Sequence, residues 1–179
     1  MTDLQPTRPT LPTFSLDYSA GTFTNTLTGE QLQEITAVVL AQREGRVLWP
    51  SLSNPDPRPE CVDGSTYGPC FDCRFADWGK NGEPPVCTEE LTLLLWLPAD
   101  FQVVELTARR SQVRTIEQWL GMKAVVSGTL HDQEVTISMK PGDGLHRLVL
   151  LPGQVLVGPE RSRMDELAGR VQQFGFGGL

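Results

Sequence analysis

A chain of 179 residues, 39% hydrophobic and 21% charged, has the composition of an ordinary globular domain, which argues against a disordered chain, a coiled coil and a collagen-like fibre. Its 15 Lys and Arg against 22 Asp and Glu give a net charge of −7, the wrong sign for coating nucleic acid by bulk charge alone. The excess acid lies in residues 1–90, and Arg109, Arg110, Arg114 and Lys123 form the one local cationic cluster. The longest apolar runs, Leu93 to Pro98 and Leu148 to Pro152, fall far short of the roughly 20 residues that span a bilayer, and no basic-then-apolar leader opens the chain. A location inside the cell without membrane contact is the expectation.

Residues 1–13, with three prolines and four threonines, read as a flexible arm with too little apolar surface to offset ordering entropy. From Phe14 to Pro50 the text is β-structure: Thr22 to Leu27, a turn at Thr28-Gly29-Glu30, then Ile35 to Gln42 and Arg46 to Trp49 flanking Arg43-Glu44-Gly45, which suggests two hairpins in series. Residues 51–89 are broken by proline and glycine throughout, and a loop that long inside a compact domain needs something other than a core to pin it. Leu91 to Leu97 reads as a buried strand, and Phe101 to Thr107 as a second one with Phe101, Val103 and Glu105 on one face. Thr107 or Ser111 caps a predicted helix with Val113, Ile116 and Leu120 at helical spacing and Gly121 as its stop. Val135, Ile137 and Met139 alternate as in a half-buried strand, and Leu145 to Leu151 and Gln154 to Val157 continue the β-text around Pro152-Gly153. Gly158-Pro159 opens a final helix whose stripe is Met164, Leu167, Ala168, Val171 and Phe174. The expected fold class is mainly β (α+β): an OB-like, partly open antiparallel barrel over 14–158, with an inserted loop at 51–89 and a C-terminal helix and tail at 159–179. An α+β sandwich is the alternative.

Cys61, Cys70, Cys73 and Cys87 all fall in the proline- and glycine-rich insertion. Their C-x8-C-x2-C-x13-C spacing suits a tetrahedron of thiolates, with Cys70 and Cys73 meeting one ion from a single tight turn. Without an export signal such a cluster points to a structural Zn2+ site ahead of an iron–sulfur cluster or disulfides. Four thiolates leave no open position for water, so such a site stabilises folding rather than catalysing. Pro69-Cys70-Phe71-Asp72-Cys73 matches half of a deaminase signature, but no histidine precedes it, so the half that moves protons is missing. With no G-x-S-x-G elbow, H-E-x-x-H, P-loop or G-x-G-x-x-G either, the expectation is a protein that is not an enzyme.

Phe75, Trp78 and Tyr67 lie among the cysteines, where aromatic rings can stack on the bases of a single strand or form a small core around a metal. Arg109, Arg110, Arg114 and Lys123 flank the middle helix, where they can track phosphates or form a solvated face. His131 and His146 read as packing or surface residues. Phe174, Phe176 and Leu179 form a short apolar tip that reads as a frayed terminus.

The strings Gly21-Thr22-Phe23-Thr24-Asn25-Thr26-Leu27-Thr28-Gly29-Glu30 and Arg46-Val47-Leu48-Trp49-Pro50, followed by the four cysteines with Phe75-Ala76-Asp77-Trp78-Gly79, resemble a family of small bacteriophage and prophage proteins. That family looks like replication or recombination accessory factors, and the resemblance runs over about residues 18–97. It implies a single-stranded DNA-binding protein with an OB-like barrel and a zinc loop, acting in the cytoplasm of a bacterial host beside phage or host replication and recombination proteins. It carries over no catalytic residue. The alternative reading is an acidic protein-interaction module, or an inhibitor docking on a phage or host protein, suggested by six acids against two bases in residues 61–90. Self-association through a strand edge, as a homo-oligomer, is left open.

Overall fold

The computed structural model describes residues 11–50 and 58–173. Among the described residues nine strands and two long helices follow one another as β1 (Thr13–Asp17), β2 (Thr22–Asn25), β3 (Gln31–Leu32), β4 (Glu34–Leu48), β5 (Cys61–Val62), β6 (Thr88–Leu97), β7 (Gln102–Arg109), α1 (Ser111–Val126), β8 (Gln133–Lys140), β9 (Arg147–Val155) and α2 (Gly158–Gln172), with a 3-10 turn at Cys70–Asp72. The strands form one sheet in the order β3-β2-β1-β7-β6-β4-β8-β9, with β5 added to β4. It curls into an open half-barrel. No helix among the described residues is long and apolar enough to cross a membrane.

The centre of the sheet is apolar on both faces, which is why Leu93 to Leu97 reads as an unbroken hydrophobic run. On one face Leu91, Leu93, Leu95, Ile35, Ala37 and Val39 meet Val113, Ile116, Trp119 and Leu120 of α1. On the other, Val38, Leu40, Leu94 and Trp96 pack with Met164 of α2, and Leu167 and Val171 lie against them. Consecutive strand residues point to opposite faces, so each helix takes one alternate set. The predicted stripe of α2 holds for Met164 and Ala168, which are buried; Phe174 lies outside the described residues. Val135, Ile137 and Met139 are buried as their alternation requires.

Several expectations are corrected. Arg43-Glu44-Gly45 is not a turn: β4 is one strand of 15 residues, and these three pair with Thr92, Leu91 and Glu90 of β6. Gly45 has another purpose, since a Cβ there would stand 2.8 Å from an Asp63 carboxylate oxygen, and that carboxylate accepts the Arg46 N–H at 2.8 Å. The glycine lets the cysteine loop close on the strand. The sheet is not wholly antiparallel, because β1 runs parallel to β7. The predicted arm is shorter than 13 residues: Thr13 begins β1 and Glu105 donates its N–H to the Pro12 carbonyl, while residues 1–10 lie outside the described ones. In β7 the fully buried set is Val104, Leu106 and Ala108 on the α1 face, while Val103 packs on the opposite face with the second cluster and Phe101, in the preceding turn at φ 52°, meets Trp96 there. Gly121 does not stop α1, which continues to Val126. The helix ends where Gly128, at φ 69°, donates its N–H to the Lys123 carbonyl, a left-handed C-terminal cap. The two predicted strands around Pro152-Gly153 are one, β9, with a register shift opposite Gln133/Val135.

Gly21 joins β1 to β2 at φ 70°. A Cβ there would meet the His146 ring at 2.6 Å, and His146 donates its backbone N–H to the Tyr18 carbonyl at 2.9 Å. Gly21→Ala combines left-handed strain with displacement of that ring, so it is expected to lose about 1–3 kcal/mol, read as a lower urea midpoint.

Candidate nucleic-acid interface

The four cysteines are spread along one wall. Cys61 is buried in β5 opposite Leu48, Cys70 and Cys73 bracket the 3-10 turn, and Cys87 immediately precedes β6. None forms a disulfide. The loop is pinned to the sheet by Arg46, which donates to the Ala76 carbonyl at 3.1 Å and pairs with Glu89, and by Cys87, whose N–H reaches the Phe75 carbonyl at 2.9 Å.

The thiols differ electrostatically. Cys61 Sγ accepts the Thr66 N–H at 3.4 Å, and backbone N–H groups of Thr66 and Tyr67 pull its pKa down. The Cys70 thiol is pushed up by burial, then by Asp63 and the thiolates of Cys61 and Cys73. The Cys87 thiol is pushed up by burial, then by the other three. Cys70 and Cys87 thus each feel the negative charge of other thiolates, and thiolates are the donors a soft cation prefers. Among the described residues no group of three or more Cys, His, Asp or Glu side chains is gathered at ion-holding geometry.

The other predicted binding residues divide. Tyr67 and Phe75 meet as a tilted pair at 5.0 Å and Arg74 covers Phe75 at 4.6 Å, so these rings are engaged with one another in the loop, though Tyr67 stays exposed. Trp78 stays 69% exposed. Lys123 is not a phosphate-tracking residue: it is buried at the end of α1 and ion-paired with Asp132. Arg109 and Arg110 lie where β7 passes into α1, and Arg114 is exposed one turn further. Arg109 pairs with Glu90 and lies 4.8 Å over the Trp49 ring.

Two hollows meet at these arginines. One, of about 450 Å³, is lined by Tyr18, Trp49, Arg109, Arg110, Leu145 and His146 among others. The second, of about 490 Å³, is lined by Trp78, Pro84, Pro85, Cys87, Glu89 and Arg110 among others. Thr88 and Arg110 line both, so the two hollows adjoin in one broken groove with Tyr18, His146 and Trp49 on one side of these residues and Trp78 on the other. At its middle α1 begins with no side chain capping its first turn and no acid there, leaving N–H groups and the positive end of the helix dipole toward the groove. A larger hollow of about 620 Å³ lies beyond Glu89 and Glu90, lined by Glu44, Asp63 and Glu117 with Arg46 and Cys70. It has no aromatic ring, and its carboxylates repel phosphate. Aromatic faces and cationic groups coincide in the first groove, and again in a smaller hollow of about 260 Å³ where Arg163 lies over Trp96 and Phe101 beside Glu134 and Glu160.

Sequence reasoning missed Tyr18, Trp49 and His146 as groove residues, because they come from the ends of three different strands. The one local signal was Trp49, a large aromatic ring at the end of a strand beside a proline. The chain matches no protein-family model, no curated protein and no solved structure.

Proposed function

We propose that this protein binds single-stranded nucleic acid, as a phage-type accessory factor of DNA replication or recombination, on an OB-like half-barrel whose inserted loop is held by a structural Zn2+. The observation that carries the reading is the groove in which Trp49 and Trp78 flank Arg109, Arg110 and the uncapped start of α1. Bases stack on aromatic faces without regard to sequence, while guanidinium groups neutralise phosphates and release counterions. Net negative charge is compatible with this, because most of the neighbouring acids, Glu44, Asp63 and Glu117, line the adjacent cleft, while Glu89 borders the groove and Glu90 is paired with Arg109. Cys61, Cys70, Cys73 and Cys87 are the residues that would hold the metal. When bound it supplies cohesion to a loop with little core of its own.

Fluorescence anisotropy of a labelled dT oligonucleotide tests the reading. With two or three phosphates neutralised, affinity falls roughly tenfold between about 50 and 200 mM salt. Arg110→Glu/Arg114→Glu removes most of the binding and flattens the salt dependence. Absent or salt-independent binding by the unmodified protein overturns the proposal. That result would favour the second reading, an acidic module whose cleft at Glu44, Glu89, Glu90 and Glu117 receives a basic protein segment.

A further inference from the structure

The hollow of about 260 Å³ on the α2 side of the sheet shares no lining residue with the groove. Its floor is apolar: Val38, Leu156 and Met164 are buried there, beside Trp96 at 8% exposure. Phe101 lines it too, meeting the Trp96 ring edge to face at 5.9 Å while remaining 69% exposed. Its backbone is held at φ 52°, a left-handed conformation that costs a bulky residue energy and that glycine or asparagine takes more readily. The contact with Trp96 leaves most of the phenyl ring in water, so packing in the free protein does not account for a strained aromatic residue at this turn.

The charges around the hollow limit what it can take. Arg163 of α2 lies 5.2 Å from the centre of the Trp96 ring and 5.4 Å from that of Phe101, so its guanidinium is engaged on aromatic faces. Glu134 of β8 and Glu160 in the first turn of α2 line the same hollow, and neither is ion-paired with another described residue. Two free carboxylates beside one engaged cation repel phosphate and attract a positive group. We infer that this hollow docks a segment of a protein partner, which inserts one large aliphatic or aromatic side chain and sets a neighbouring lysine or arginine against Glu134 and Glu160. The inference goes beyond the single-strand reading and does not depend on it. An apolar anchor in a pocket supplies affinity, and opposite charges at its edge supply specificity. The flexible thioether of Met164 adapts the floor to the shape of the anchor, and the exposed face of Phe101 is covered when the segment binds.

A displayed library of random short peptides, selected on the full chain, tests this, with the recovered peptides resynthesised and labelled for anisotropy. They should share a Leu, Ile, Phe or Trp within a few positions of a Lys or Arg. Glu134→Gln/Glu160→Gln should weaken their binding about tenfold and flatten its salt dependence. Phe101→Gly should weaken it several-fold while leaving the urea midpoint unchanged or raised, because the backbone strain leaves with the ring. Recovery of no peptides, or of peptides without that pairing, overturns the site. So do peptides that bind Glu134→Gln/Glu160→Gln as tightly as the unmodified protein, or that compete with a dT oligonucleotide, which places them in the groove. If both variants lose peptide binding and the unmodified protein binds no oligonucleotide, the docking site stands and the single-strand reading falls.

Discussion

Lys123→Ala is expected to lose about 3–5 kcal/mol of stability, because it strands the Asp132 carboxylate without its buried partner. The ammonium of Lys123 pairs with Asp132 and lies 3.3 Å from Gln133 Oε1, while Arg161 approaches the other Asp132 oxygen at 3.9 Å and bonds Asp165 at 2.9 Å. The cluster ties the end of α1 to the start of β8 and to α2, which crosses from the opposite face of the sheet. Urea denaturation measures the loss, and Lys123→Met/Asp132→Leu should recover most of it, since matched apolar groups need no solvation. Burial acts to raise the Asp132 pKa, yet hydrogen bonds from Lys123 and Ser127 outweigh it, and the carboxyl sits below its usual range. A lowered folded-state pKa adds stability above the ordinary carboxylate range and loses it as pH falls through the folded value. The acid limb of the stability profile should therefore be shallower in Lys123→Ala.

Removing metal should have the second large effect. If Cys61, Cys70, Cys73 and Cys87 hold Zn2+, a site saturated about a thousandfold above its dissociation constant contributes about 4 kcal/mol, and stripping it lowers the melting temperature by roughly 10 °C for a domain of this size. Chelation followed by calorimetry, with zinc measured on the same sample, reads the shift. Cys73→Ser should reproduce it without chelator. A protein that carries no metal and melts unchanged after chelation removes zinc from the proposal and leaves the groove untouched.

The parts of the fold legible in the sequence were those with local periodicity. The alternation of Val135, Ile137 and Met139 and the stripe through Met164 and Ala168 are set by residues two to four apart, and both elements formed as read. Lys123 was legible too, though it was read by charge alone: it falls three residues after Leu120 and seven after Ile116, on the stripe that α1 buries. Spacing outranked residue type there. The continuity of β4 was not legible, because a glycine beside charged residues is the text of a turn unless one knows that Asp63 fills the space beside it. The groove was hidden for the same reason. Tyr18, Trp49 and His146 line one hollow through the hydrogen bonds of His146 to Tyr18 and the contact of Arg109 with the Trp49 ring, none of which has a local pattern.

The parallel pairing of β1 with β7 also bears on how the chain is made. Phe14 is aligned with Leu106, so during synthesis the first three strands, complete at Leu32, have no sheet to join until some seventy-five residues more have left the ribosome. In that interval Phe14 and Phe23, which meet edge to face at 6.3 Å, have chiefly each other for cover, and the β1–β2 hairpin must persist as a small unit or wait unfolded. A two-stranded hairpin alone is marginal in water. Vectorial synthesis thus leaves the amino-terminal meander as the segment most open to chaperones and to pairing with the wrong edge.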